Sequence, residues 1–381
     1  MPGLMSSKFN SHRALDFSSN MTEKPIAFDE TCDTREGSAS DSGSEDDDSF
    51  TGLAPQAPQG PRTGRPQPAR RLSGQPNRIP EKYADDNYSS RSSDEGEVPQ
   101  ITRDDLSYLE KVGAGLTAEV FRGEWNCQTV AIKQLNFTKR KNMMMKQQVA
   151  FSRETSVAAK IRHNNLVQFY GVSFDRQPYL MITEFMSGGT VFDLLHGEEA
   201  VLLRWKQRLR MCSDVASAMD YLHKCSPQII HRDLKSLNLL LSQTVTSAKD
   251  VPEVKVSDFG LAKMKEEHED WGVMTAQAGT FHWMAPEVHT GKYNEKADVY
   301  SYAMVLFEII CYEVPFQELG PSEVTNAVCS GARPSLDAVP PDCPDKLMEL
   351  MISCWTQDPR SRPSFTQIRT ALNNISFSML G

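Results

Sequence analysis

Eight consecutive residues carry the densest chemistry in this 381-residue chain: His231-Arg232-Asp233-Leu234-Lys235-Ser236-Leu237-Asn238. Asp233 can orient an acceptor hydroxyl and take its proton. Asn238 can ligate a divalent cation, and Lys235 can neutralise charge on a transferring phosphoryl group. Asp258-Phe259-Gly260 begins twenty residues after Asn238 and offers a second metal-binding side chain. Phosphoryl transfer asks for positioning and charge neutralisation, so a base, a lysine and two oxygen ligands for a metal suffice for it. Upstream, Lys133 ends the apolar run that begins at Val130, and Glu154 follows 21 residues later in a helical pattern. A lone lysine at a strand end is ordinarily solvated. A helical glutamate at this distance favours an ion pair that holds the ammonium towards α- and β-phosphates. Gly113-Ala114-Gly115-Leu116-Thr117-Ala118-Glu119-Val120 is a glycine-rich turn whose backbone N–H groups can approach phosphate oxygens. Alone, that stretch fits an ordinary hairpin turn better. A dinucleotide site needs a helix directly after the glycines, and here a strand-like segment follows.

These groups need a scaffold, and the hydropathy pattern supplies one. Residues 120–124 and 129–133 read as strands around a turn at Asn126, 148–160 as a helix, and 166–172 and 179–185 as further strands. From Val191 onward helical patterning dominates. Trp205, Leu209, Cys212, Val215, Ala216, Met219 and Leu222 recur at spacings of three and four, which gives one apolar face. Residues 300–310 are almost continuously apolar, as a helix buried on every side would be. The expectation is an α+β fold: a small, mostly antiparallel β-rich lobe carrying one helix, then a larger helical lobe, with a cleft between them.

Composition narrows the function classes. The chain is 39% hydrophobic and 24% charged, with net charge −9. Residues 1–97 hold 11 Lys/Arg and 17 Asp/Glu, leaving 30 and 33 in the remainder, so most of the charge sits in the first quarter. A domain this close to neutrality gives no electrostatic reason to expect nucleic acid. The eight cysteines form no C-x-x-C pair, and their mostly apolar contexts suggest reduced, buried thiols. No apolar run approaches a membrane span and no secretory h-region is present, so a cytoplasmic location is expected. The stretch 1–100, rich in Ser, Asp, Glu and Pro, reads as a disordered tail. Within it, the serines of 40–49 alternate with acidic residues, and Arg70-Arg71-Leu72-Ser73 looks like a site for a basophilic upstream kinase. The bland alternative is a solvated linker whose phosphosites are coincidental. The proline-spaced stretch 55–80 reads as a spacer.

In the order of these motifs the chain resembles the eukaryotic protein kinase family over residues 105–376. The resemblance implies the bilobal protein kinase fold, ATP and Mg²⁺ as cofactors, and protein substrates. It makes Asp233 the base, Lys235 its neighbour on the γ-phosphate, Lys133 and Glu154 the phosphate-side ion pair, and Asn238 and Asp258 the metal ligands. Gly113, Ala114 and Gly115 would cover the phosphates, and Ala118 stands where the family pattern has a third glycine. Thr183 would be the gatekeeper, Glu184 and Met186 would present backbone groups to adenine, and Val120, Ala131 and Leu240 would sandwich its ring. Glu287 of Ala285-Pro286-Glu287 would pair with Arg362, Asp298 would brace the His231-Arg232 backbone, and His231 and Phe259 would be packing residues. Lys235 and the segment Gly279-Thr280-Phe281-His282-Trp283-Met284 match serine/threonine kinases, whereas Thr183-Glu184-Phe185-Met186 and Cys354-Trp355 look like tyrosine kinases. That mixture resembles the tyrosine kinase-like group, which includes Raf-like and mixed-lineage kinases. Dual specificity and a pseudokinase scaffold remain the alternatives. Ala158 stands where the family has a larger apolar residue, and Phe169 is expected to fill part of that space. A phosphate on Thr275 would order the activation segment through Arg232.

Overall fold

The computed structural model describes residues 98–114, 118–136, 141–198, 201–259, 262–264, 281–291 and 293–378. Five strands form the first sheet: β1 (Leu106–Ala114), β2 (Ala118–Trp125), β3 (Gln128–Leu135), β4 (Phe169–Ser173) and β5 (Leu180–Glu184), in the order β1-β2-β3-β5-β4 and antiparallel throughout. The β2–β3 turn is tight because Asn126 and Cys127 both take positive φ, 49° and 61°, the twist that a two-residue hairpin requires. Alternation along β3 then divides the sheet. Val130 and Ile132 are fully buried with Ile101, Leu106, Leu180 and Ile182 on one face. Ala131 and Lys133 project to the other face. On that face lies α1 (Lys141–Lys160), which starts seven residues before the expected 148 and buries Phe151, Val157 and Ala158.

The chain engages this sheet before β1. Val172 N–H donates to Pro99 O at 2.9 Å and Ile101 N–H to Val172 O at 2.8 Å. The strap lies so close that a Cβ on Gly171 would meet Pro99 O at 2.7 Å, so only glycine fits there.

The second lobe is helical. Its axis is α4 (Lys296–Cys311), buried without interruption from Ala297 to Ile310, as the apolar run demands. Each fully buried Leu, Ile, Val or Phe there contributes about 1.5–3 kcal/mol relative to exposure. Around it pack α3 (Trp205–Lys224), α6 (Asp345–Cys354) and α7 (Phe365–Ser378), with the short α2 (Val191–His196) and α5 (Pro321–Cys329) at the flanks. On α3 the expected apolar face is buried except at Trp205, which is half-exposed. Gln207, Arg208, Asp214 and Asp220 are buried on the same helix. Short strands carry the loops between the lobes: β6 (Ile229–Ile230) pairs with β9 (Lys263–Met264), and β7 (Leu239–Leu241) with β8 (Val254–Val256). Val167 N–H donates to Val256 O at 3.0 Å and Val256 N–H to Asn165 O at 2.8 Å, tying the approach to β4 onto β8.

The expectation of mostly buried thiols is corrected. All seven described cysteines are free, but only Cys212 and Cys354 are buried. Cys127 is exposed because it sits in the β2–β3 turn, and Cys329 because it ends α5. Among the described residues no helix is long and apolar enough to cross a membrane.

Candidate active site

The β3 alternation that buries Ile132 points Lys133 towards α1, where Glu154 is buried. Lys133 Nζ lies 2.7 Å from Glu154 Oε1 and 3.6 Å from Asp258 Oδ1. Burial alone would lower the Lys133 pKa, but the Asp258 and Glu154 carboxylates outweigh it and hold the group well above its ordinary value. The lysine is therefore a fixed cation joining α1, the sheet and the Asp258 loop.

Across the cleft, Asp233 is buried at the end of a short loop. Lys235 Nζ donates to its Oδ1 at 3.0 Å and its Oδ2 at 2.8 Å. Asn238 Nδ2 donates to Asp233 O at 2.8 Å and Oδ2 at 2.9 Å, which turns the amide oxygen Oδ1 away from Asp233. The Asn238 carbonyl is in turn held by Ser257 N–H and Oγ–H, both at 2.9 Å, next to Asp258. Two non-glycine residues here take left-handed backbone angles, Arg232 at φ 72° and Asp258 at φ 62°. Asp298 holds the first: its Oδ2 accepts from His231 N–H and its Oδ1 from Arg232 N–H, each at 2.9 Å. His223 Nε2 lies 2.8 Å from Asp298 Oδ2. Burial alone would raise the Asp298 pKa, but the bond and charge of His223 and the backbone donors hold it below 3.8. His231 packs against Phe259 at 5.5 Å between centroids and bonds Ser257 O at 3.0 Å, the packing role expected of both.

Val120, Ala131, Thr183 and Leu240 are all half-buried, and β3–β5 register sets Ala131 opposite Thr183. Among the described residues the Met186 N–H meets no backbone carbonyl, while the Glu184 N–H is taken by Gln168 O at 2.8 Å. At Gly113 an added Cβ would touch only Val120 Cβ, at 3.7 Å, so space stands open beside the backbone. The Asp258 side chain is 44% exposed. Carboxylate and amide oxygens are the donors a hard divalent cation takes, and few protein ligands suit one shared with substrate phosphates. Glu287 and Arg362 close a bidentate pair at 2.6 and 2.9 Å. Gly115, Gly260, Gly279, Thr280 and Thr275 lie outside the described residues, as do Ser73 and the serines of 40–49.

Sequence reasoning missed the Glu184 carboxylate, which bonds Lys255 Nζ of β8 at 2.6 and 2.9 Å and accepts Gln168 N–H at 3.1 Å. It assigned only the backbone of Glu184 a role. A carboxylate and a lysine 71 positions apart leave no local signal.

A family model described as protein tyrosine and serine/threonine kinase matches residues 106–372. The chain is 40% identical over 278 residues to serine/threonine-protein kinase STY17 of Arabidopsis thaliana, covering 72% of this chain and 45% of that one. It is 36% identical over 283 residues to serine/threonine-protein kinase CTR1 of the same plant, covering 74% and 33%. To dual specificity protein kinase pyk3 of Dictyostelium discoideum it is 37% identical over 278 residues, covering 72% and 19%. The match spans less than half the length of each of these relatives.

Proposed function

Because the chain belongs to the protein tyrosine and serine/threonine kinase family, we propose that it transfers the γ-phosphate of ATP to serine and threonine hydroxyls of protein substrates in a signalling pathway. The observation that carries this reading is one constellation: Lys133 paired with Glu154 at 2.7 Å and near Asp258, facing an Asp233 hydrogen-bonded to both Lys235 and Asn238. A scaffold without activity would have no need to keep all six groups in register.

In this reading Lys133 holds the α- and β-phosphates while Glu154 keeps its ammonium in place. Asp233 orients the acceptor hydroxyl and accepts its proton. Lys235, already on Asp233, donates to the γ-phosphoryl oxygens as charge develops. Asn238 Oδ1 and Asp258 would hold Mg²⁺, which neutralises phosphate charge when bound. The half-buried Val120, Ala131 and Leu240 suit the faces of an adenine ring, Thr183 its rear edge, and the Glu184 carbonyl and Met186 N–H its polar edge. Gly113 and Ala114, with Gly115, cover the phosphates. Serine/threonine preference is supported by Lys235 on Asp233 and by relatives named as serine/threonine kinases.

Regulation belongs to the same proposal. Arg232 Nε is buried without a partner among the described residues, and the guanidinium lies 5.6 Å from the Tyr293 ring. A phosphate on Thr275 would supply the missing acceptor. Upstream kinases would act on Ser73 and the serines of 40–49 in a disordered tail, expected from sequence over 1–100 but ending before Val98, since Pro99 and Gln100 pair with Val172 of β4; a catalytic domain expected over 105–376 follows, and the protein would work in the cytoplasm. Incubation with γ-labelled ATP and a generic protein substrate, with Asp233→Asn as control, tests the reading. Label in the wild type alone supports it, and equal label in both removes it.

A further inference from the structure

One carboxylate in the helical lobe has a set of partners that packing alone does not require. Glu308 lies in the middle of α4 and is fully buried. Its Oε1 accepts from Ser236 Oγ at 2.5 Å and lies 3.3 Å from His196 Nε2. Its Oε2 accepts from the Trp283 indole Nε1–H at 2.6 Å. The short contacts have the lengths of charge-assisted hydrogen bonds, which are stronger and more directional than neutral ones. Each donor belongs to a different working part. Ser236 opens the 3₁₀ turn that ends at Asn238. Trp283, also buried, ends the 3₁₀ turn just before Met284-Ala285-Pro286-Glu287, where the activation segment closes. His196 ends α2, whose N-cap residue Thr190 bridges to Leu240 on β7.

We propose that Glu308 is a positioning residue that sets the metal-side turn and the substrate-side segment against one common anchor. This rests on the kinase reading above. Ser236 cannot shift without moving Asn238, two residues on within the same turn. The Trp283 indole cannot shift without moving the chain that leads to Glu287, which is itself clamped by Arg362. A carboxylate has two oxygens and can accept from both sides at once, whereas any neutral replacement of the same shape can serve only one. Fixing both segments on a rigid buried helix gives the precision that in-line transfer needs. Glu308 itself touches neither nucleotide nor substrate.

The test uses the full chain with Glu308→Gln, Ser236→Ala and Trp283→Phe. Binding of ADP is measured by calorimetry against free Mg²⁺, and peptide KM by steady-state kinetics. Ser236→Ala should raise the Mg²⁺ concentration needed for nucleotide binding, and Trp283→Phe should raise the peptide KM, each by about tenfold, as expected for one lost charge-assisted bond. Glu308→Gln should do both, and adding either other substitution to it should do little more. If all three variants only lower the melting temperature, with Mg²⁺ dependence and peptide KM unchanged, Glu308 is a packing residue and the inference is overturned. Should Glu308→Gln not fold, the two remaining variants decide: no change in either parameter overturns the inference equally. A wild type with no more activity than Asp233→Asn would instead remove the underlying kinase reading.

Discussion

Asp298→Asn isolates the brace on the His231-Arg232 backbone. Asp298 is 1% exposed and accepts from three donors, two on Oδ2 and one on Oδ1. Asparagine keeps the shape but turns one oxygen into an N–H₂ group. The less costly orientation puts that group in place of Oδ1, which sacrifices a single acceptor. The donor it abandons is the Arg232 N–H, the residue at φ 72° directly before Asp233. One buried N–H left unpaired costs about 1–3 kcal/mol, and the two surviving bonds weaken because the charge is gone, so a total near 2–4 kcal/mol is expected. Without its brace, Arg232 should relax from the left-handed region and carry Asp233 with it. Urea unfolding followed by tryptophan fluorescence, together with kcat for a peptide, reads both effects, and kcat should fall more than the ATP affinity. The Asp298 pKa lies below its ordinary 3.8, so its stabilisation is complete above that value and is lost as pH falls through the folded-state pKa. The wild type should therefore show acid destabilisation below about pH 4 that the asparagine variant lacks. A stability change under about 0.5 kcal/mol with kcat intact would show that Asp298 does not brace the Arg232 backbone.

Arg362→Ala strips Glu287 of its bidentate partner in a site where the Arg362 side chain is 0% exposed, and should cost about 3–5 kcal/mol in the same unfolding assay. Ala158 and Phe169 are both buried in one core, so Ala158→Leu should overpack it and lower stability by about 1–3 kcal/mol. A clear rise in melting temperature and activity would show that Phe169 does not fill the space. Thr275→Ala should match the phosphatase-treated wild type in activity and fail to gain on incubation with an activating kinase; full activity would remove the Arg232 proposal.

What could be read from sequence was chemistry with short spacing. Asp233, Lys235 and Asn238 lie within six residues, and the structure bonds all three together. Lys133 and Glu154 were legible because a charge closing an apolar strand demands a partner. The resemblance supplied Glu287 with Arg362, and Asp298 with the His231-Arg232 backbone. What escaped was long-range polar burial. Gln207 is buried on α3 because its amide donates to Ser247 O and Asp250 O, 40 and 43 residues away. Asp214 accepts Val254 N–H from across the lobe, and Asp220 is held by Thr366 and Arg369 of α7. On a helical wheel these residues look like solvated interruptions of an apolar face. Glu308 did leave a signal, as the only charge within the run 300–310. The early start of α1 escaped because residues 141–146 lack the apolar spacing that marks a packed face.

Every role proposed for the site depends on phosphoryl transfer to a hydroxyl through Asp233. Phosphoamino-acid analysis of a protein substrate labelled from γ-labelled ATP, with wild type and Asp233→Asn in parallel, reads that step. Phosphoserine and phosphothreonine are expected with the wild type, and a loss of about 10²-fold or more with the variant. Label confined to phosphotyrosine, or an equal yield from both proteins, would contradict it.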